Sequence, residues 1–208
     1  MRWKRWCAVG AAVFSLWASE AHATTVITFG NDPQPGDENI LLNTGLSGNP
    51  IFGVTNMTGL TVRFTGSETL TAPASGQARI EAIDGAFTNL SVDIPNGSFE
   101  SLILNLDAMA NGTVDFIATT NTGVEFFNNV AVGGSGSNFF TFTTLHEQRL
   151  ISLGLSADVP LQFADAAQFR IGGAQLDVTA TPVPEPATML MMGAGLAAIA
   201  RRRYRRQA

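Results

Sequence analysis

Ser101-Leu102-Ile103-Leu104-Asn105-Leu106 and, past the pair Asn111-Gly112, Val114-Asp115-Phe116-Ile117-Ala118 form the stretch that decides the fold. Leu102, Leu104 and Leu106 stand two residues apart, as do Val114, Phe116 and Ala118. Successive side chains of a strand point to opposite faces, so each trio lays one apolar face on a core. Asn-Gly tolerates the positive φ that tight turns demand, and here it separates two such runs. The spacing recurs in both directions: Leu60, Val62 and Phe64, then Leu90, Val92 and Ile94 precede it. Phe140 and Phe142, then Ile151, Leu153 and Leu155, then Phe169 and Ile171, then Leu176 and Val178 follow it. Asp84-Gly85, Asn96-Gly97 and Gly133-Gly134 punctuate these runs, and Val132 to Asn138 reads as a glycine-rich loop. No window from Thr24 to Ala180 sustains the 3.6-residue period of a long helix. About ten short strands at this spacing predict an all-β domain over residues 24–178, an antiparallel β-sandwich or jelly roll. No period of 20 to 50 residues is present, which argues against a solenoid or propeller.

The two ends are built differently. Arg2, Lys4 and Arg5 precede an apolar run from Trp6 to Trp17, and Ala21-His22-Ala23 puts small residues where a signal peptidase reads. Residues 1–23 are therefore expected to form a signal peptide helix cut after Ala23. Cys7 lies at the start of the apolar run, so the only cysteine leaves with the signal and the mature chain has no disulfide chemistry.

At the other end, residues 179–183 read as a linker to a segment comprising residues 184–208. Pro184-Glu185-Pro186 resists helix formation, while Ala187 to Ala200 is rich in the helix formers Met, Leu and Ala. Those fourteen residues reach about 21 Å as a helix, short of the roughly 30 Å hydrocarbon core unless flanking arginines snorkel. Arg201, Arg202, Arg203, Arg205 and Arg206 follow directly and should stay cytoplasmic, placing everything before Pro186 across the membrane. A Pro-Glu-Pro, a short apolar helix and an arginine cluster at the extreme C-terminus resemble the PEP-CTERM sorting signal of Gram-negative bacteria. The resemblance implies processing by an exosortase, with Pro184, Glu185 and Pro186 as the processing motif and the arginines as a membrane stop. Gly36-Asp37-Glu38-Asn39-Ile40-Leu41-Leu42-Asn43 and Ser75-Gly76-Gln77-Ala78-Arg79-Ile80 resemble segments of exported β domains in other PEP-CTERM proteins, which implies a β-sandwich and supplies no activity.

Removing both ends changes the composition. Between Thr24 and Ala180 fifteen acidic residues face four arginines, Arg63, Arg79, Arg149 and Arg170, with no lysine, a net charge of −11. Such a surface repels phosphate backbones, so nucleic acid is not an expected partner. All three tryptophans and the one tyrosine fall in the ends, and 13 of the 14 phenylalanines stay in the domain as core material.

Candidates for chemistry are few. His146 is the domain's only histidine, no Gly-x-Ser-x-Gly elbow is present, and an exposed histidine at a strand end is the simpler reading. One histidine without cysteine cannot supply the usual zinc ligands. Fifteen acids allow carboxylate pairs for glycoside hydrolysis, yet the Trp and Tyr faces on which sugar rings stack are missing. Asn31 to Asn39 concentrates oxygen donors, with Asp32, Asp37 and Glu38 as candidate Ca²⁺ ligands; an acidic turn is the commoner explanation of such a loop. No other cofactor is expected. Arg79 and Arg170 interrupt apolar strand patterns and should pair with nearby acids.

The expectation is an exported, exosortase-processed β-sandwich, held at the inner membrane as an intermediate and then placed on the cell surface or in the extracellular matrix. Its role is structural or adhesive and non-catalytic, and the resemblance implies association with exopolysaccharide or biofilm. The alternative is a carbohydrate-binding or polysaccharide-modifying β-sandwich. A third reading keeps the C-terminal helix as a permanent anchor.

Overall fold

The computed structural model of the chain describes residues 24–134, 137–157 and 160–177, and everything described is strand, turn or loop. In chain order the strands are β1 (Thr25–Phe29), β2 (Glu38–Leu42), β3 (Ser47–Gly48), β4 (Ile51–Thr55), β5 (Thr61–Gly66), β6 (Leu70–Thr71), β7 (Gly76–Gln77), β8 (Arg79–Ala82) and β9 (Asn89–Asp93). They continue with β10 (Gly97–Ser98), β11 (Ser101–Ala108), β12 (Gly112–Thr120), β13 (Gly123–Val132), β14 (Asn138–Thr144), β15 (Leu150–Ala157), β16 (Phe163–Gly172) and β17 (Gln175–Leu176). Five of these are two-residue pairings; the remaining twelve carry the architecture.

Every pairing is antiparallel, and the main path runs β1-β14-β11-β16-β2-β4-β5-β9-β15-β12-β13. β2 is the turning point: Glu38 and Asn39 pair with β16, while Ile40 and Leu41 pair with β4. On one side of it lie β16, β11, β14 and β1; on the other lie β4, β5, β9, β15, β12 and β13. The two sides face each other across a phenylalanine core. Phe116 of β12 meets Phe140 and Phe142 of β14 edge-on at 5.0 and 4.9 Å, and Phe64 of β5 meets Phe169 of β16 at 5.0 Å. These separations and tilts suit the ring quadrupoles. The fold is the predicted antiparallel β-sandwich.

The alternating residues that define the two central strands behave as expected. Leu102, Leu104, Leu106, Val114, Phe116 and Ala118 are all buried in one core with Val62, Phe64, Leu90, Val92, Ile94, Phe140, Phe142, Phe169 and Ile171. Burying a side chain of this size stabilises by about 1.5–3 kcal/mol.

Three positions depart from the pattern. Ile151 is exposed while Leu150, Leu153 and Leu155 are buried. On β15 the partners of Thr119 and Thr120 are Ser152 and Leu150, so Ile151 is the extra residue of a β-bulge, and the bulge moves Leu150 inward in its place. Leu176 is exposed, and among the described residues β17 pairs only with the two-residue β10; Val178 lies outside the described residues. Ile103 is fully buried although it faces away from Leu102 and Leu104. Its cover is the Gly30–Asp37 loop: the amide of Asp32 donates to the hydroxyl of Thr141, which donates to the carbonyl of Gly30, and the Ser101 hydroxyl donates to Asp37. Thr141 is the cross-strand partner of Ile103.

A polar seam joins the N-terminal strand to the far edge. The buried Gln148 amide donates to the hydroxyls of Thr120 and Thr122 and to Glu125, and its carbonyl accepts from Thr25. Glu125 also accepts the Thr25 amide at 2.7 Å. β1 and β13, the two ends of the strand path, are tied by side chains where no ladder connects them.

Candidate functional site

Asp32, Asp37 and Glu38 do not converge. Glu38 is buried with its carboxylate turned to the 56–58 turn, where it accepts the amides of Met57 and Thr58 and the Thr58 hydroxyl at 2.6–2.8 Å. Asp37 accepts the Gln34 amide at 2.7 Å and the Ser101 hydroxyl at 2.5 Å, and its carboxylate packs where a Cβ on Gly172 would sit. The Asp37 carboxylate instead ties the Gly30–Asp37 loop to Ser101, and the Glu38 carboxylate holds the 56–58 turn. Among the described residues no three acidic, histidine or cysteine side chains are grouped to hold a metal ion. Thermal melts of the chain in calcium and in chelator are therefore expected to coincide. A midpoint raised by calcium would restore the candidate site.

His146 occupies a turn with Glu147, at φ +54 and +63, closed by the Gln148 amide on the Leu145 carbonyl. Two consecutive positive φ values make the mirror-image turn that usually takes Asn or Gly. Both side chains are exposed, as the sequence implied for the histidine.

Three of the four arginines are paired. Arg63 makes a two-pronged bond with Asp93, its cross-strand partner, at 3.0 and 2.9 Å. Arg79 bonds Glu81 at 3.0 Å and Asp165 at 2.8 Å. Arg149 bonds Glu100 and the Ser98 hydroxyl and carbonyl, and reaches the Gly173 carbonyl. Arg170 has no acidic partner among the described residues, contrary to the expectation that it would pair.

The outer face of the β11–β16–β8 layer holds a chemical constellation that the sequence left hidden. Register sets it out in rows. Asn105, Ala167 and Arg79 lie side by side across β11, β16 and β8, and Asp107 stands directly opposite Asp165 in the next row. Residues two apart on a strand share a face, so Asn105 and Asp107 point the same way. The short side chain of Ala167, ringed by longer ones, leaves a cleft of about 470 Å³ bordered by Gln77, Arg79, Asn105, Asp107, Asp165, Gln168 and Ser137. A bulge shapes one rim: between the pairs Ile103–Arg170 and Asn105–Ala167 β16 carries an extra residue, and Gln168 adopts φ +57 with its amide on the Ala78 carbonyl. Bulges re-aim side chains in this way next to binding sites.

The electrostatics are uneven. Asp165 is buried, and loss of solvent pushes its carboxyl above the ordinary aspartate range; Arg79 pulls the other way, and Asp107 and Glu81 push it up further. Asn105 is 8% exposed and its Oδ1 is a buried acceptor with no partner. Buried polar atoms are satisfied in the great majority of cases, so an orphan in a cleft wall is a feature to account for. Only Arg79 of this group stood out in the sequence. Asn105 and Asp107 were detectable as polar residues on the second face of an apolar strand, whereas their meeting with Asp165 depends on a register that no local pattern fixes.

The sorting elements lie outside the described residues: Pro184, Glu185, Pro186, the Ala187–Ala200 segment, Arg201, Arg202, Arg203, Arg205 and Arg206, the linker 179–183, and the signal peptide with Ala21 and Ala23. Within the described residues no helix is long and apolar enough to cross a membrane. Residues 182–206 match the family model described as the PEP-CTERM protein-sorting motif. The chain carries a PEP-CTERM protein-sorting motif. The PEP-CTERM motif implies an exported protein with a membrane-anchored intermediate and an exosortase as processing partner. No curated protein matches the chain. Among solved structures, a family 29 carbohydrate-binding module from Piromyces equi is 13% identical, covering 72% of the PEP-CTERM chain and 89% of that module at a TM-score of 0.29. A mutant of a second family 29 module is 12% identical, covering 74% and 90%, at a TM-score of 0.26. TM-scores this low carry neither fold nor ligand over to the PEP-CTERM chain.

Proposed function

We propose that this protein is exported from a Gram-negative cell, cut by an exosortase at its C-terminal motif, and left on the cell surface or in the extracellular matrix. There the sandwich plays a structural or adhesive part, without catalysis, in association with exopolysaccharide. The observation that carries this reading is the PEP-CTERM match over residues 182–206. The acidic charge favours a soluble exported domain, and the short apolar segment favours a transient anchor. Replacing Pro184, Glu185 and Pro186 by alanine in the native host should abolish processing and leave the protein at precursor mass in the membrane fraction. Unchanged maturation and release would sink the sorting role. Intact mass also separates this reading from a permanent anchor, in which the C-terminal helix stays on the chain.

A carbohydrate-binding domain is the second reading, favoured by the polar cleft on the outer face. Polysaccharide modification has less support: Asp107 and Asp165 are adjacent across one strand pair, and Asp165 is engaged by Arg79.

A further inference from the structure

We propose that the cleft around Ala167 binds neutral, hydroxyl-rich sugar units, with Asn105 Oδ1 and the Asp107 carboxylate as acceptors for ligand hydroxyls. The inference rests on the association with polysaccharide proposed above and assigns it a place on the sandwich. Asn105 is the observation that points to a ligand. It sits mid-strand on β11, between Leu104 and Leu106, and lines the cleft, and its side-chain acceptor is buried without a partner; a turn of the amide about its last torsion brings that oxygen to a ligand. An apolar residue would cost nothing there. A buried acceptor left without a donor is destabilising, and a ligand hydroxyl would relieve it.

The remaining side chains define the class of ligand. Gln77, Gln168 and Ser137 each offer both donor and acceptor atoms, which is what a sugar hydroxyl needs, since it donates and accepts at once. A metal ion needs acceptors alone, and the Arg79 guanidinium on the β8 side of the cleft opposes a cation. An anion meets Asp107 and Asp165. A neutral polyol has neither conflict. A volume of about 470 Å³ is within the usual range for small-ligand sites, roughly 300–1,000 Å³. No aromatic ring lines the cleft, so recognition would use hydroxyl edges rather than ring faces, and tight retention would come from repeated units on one polymer.

The test is retention of the full chain on immobilised polymers that differ in charge: dextran, mannan and a β-glucan as neutral probes, alginate as carboxylated and chitosan as amine-bearing. Retention on at least one neutral polymer is expected, with release by the same polymer in solution. Asn105→Leu and Asp107→Ala should each weaken it roughly tenfold or more, the loss of one or two hydrogen bonds. Glu147→Gln, on the exposed turn, should leave it unchanged. Asn105→Asp keeps the acceptor and should still bind, and a melting temperature of Asn105→Leu at or above that of the unaltered chain shows that its loss of binding is not a loss of fold. Failure on every neutral polymer, preference for alginate or chitosan, or equal retention of the Asn105→Leu and Asp107→Ala chains would overturn the proposal. Maturation of the same variants in the host is read separately by mass: normal processing without binding ends the cleft assignment alone, and binding without processing ends the sorting reading alone.

Discussion

Phe116→Ala is expected to lower stability by about 3–5 kcal/mol, the range for removing a buried aromatic from a core that closes only partly around the cavity. Phe116 is fully buried on β12 and touches two rings of β14, so one side chain couples both layers of the sandwich. Its edge-on contacts with Phe140 and Phe142 each add about 0.5–1.5 kcal/mol beyond the area buried. Relaxation is restricted because β12 is a central strand, paired with β13 on one side and β15 on the other, and cannot move toward β14 without breaking a ladder. In a domain of this length the loss converts to a fall in melting temperature of roughly 6–20 °C. Urea unfolding followed by far-UV circular dichroism measures it, since no Trp or Tyr lies between Thr24 and Ala180. The midpoint should fall with the denaturant slope unchanged. A loss below about 1 kcal/mol would mean that the two layers are held together elsewhere.

The ease with which that position can be picked out reflects what a sequence encodes locally. Phe116, Leu104 and Phe142 are legible because burial on one face imposes a two-residue period, and a slip by one residue would expose the whole set. Ile151 was misleading because a bulge is a two-strand event: only the pairing of Thr119 and Thr120 with β12's neighbour reveals the extra residue. Ile103 shows a second limit. Its burial is imposed by the Gly30–Asp37 loop, some seventy residues away in the chain, and nothing in residues 101–108 announces that cover. The acidic residues there resemble metal ligands for a related reason: the Asp37 carboxylate pins this loop and that of Glu38 pins the 56–58 turn, and oxygen-rich turns look alike whether they hold an ion or the backbone. Asn105, Asp107, Arg79 and Asp165 come from three strands spread over more than eighty residues. The cleft therefore arises from register, while the sorting motif, being continuous in the chain, could be read directly.

Arg149→Ala is expected to cost about 2–4 kcal/mol and to act first on the end of the sandwich that leads into the sorting segment. The side chain is 16% exposed and its guanidinium serves four acceptors: the Ser98 hydroxyl and carbonyl, the Gly173 carbonyl and Glu100. The acceptors are not equal. Glu100 is 59% exposed, so solvent screens that ion pair to about 1 kcal/mol or less, and Glu100→Gln should be nearly silent. The larger share comes from the charged donors given to Ser98, which is buried, and to the backbone at Gly173, where charge-assisted bonds are worth about 1.5–3 kcal/mol each before non-additivity. Ser98 belongs to β10 and Gly173 leads into β17, so one planar fork fastens both sides of the two-residue clip that ends the described chain. Lysine carries the charge but not the fork, and Arg149→Lys should recover less than half of the loss. Hydrogen exchange separates this from a general weakening: amides of Gln175 and Leu176 should lose protection in Arg149→Ala before those of β11 or β12 do. Uniform loss across the sandwich would instead place Arg149 in the global core. β17 is the last described strand ahead of the segment matched as the PEP-CTERM motif, and Arg149→Ala changes no residue of that motif. Processing should therefore survive in Arg149→Ala while stability falls, which separates the fold's needs from those of the sorting signal.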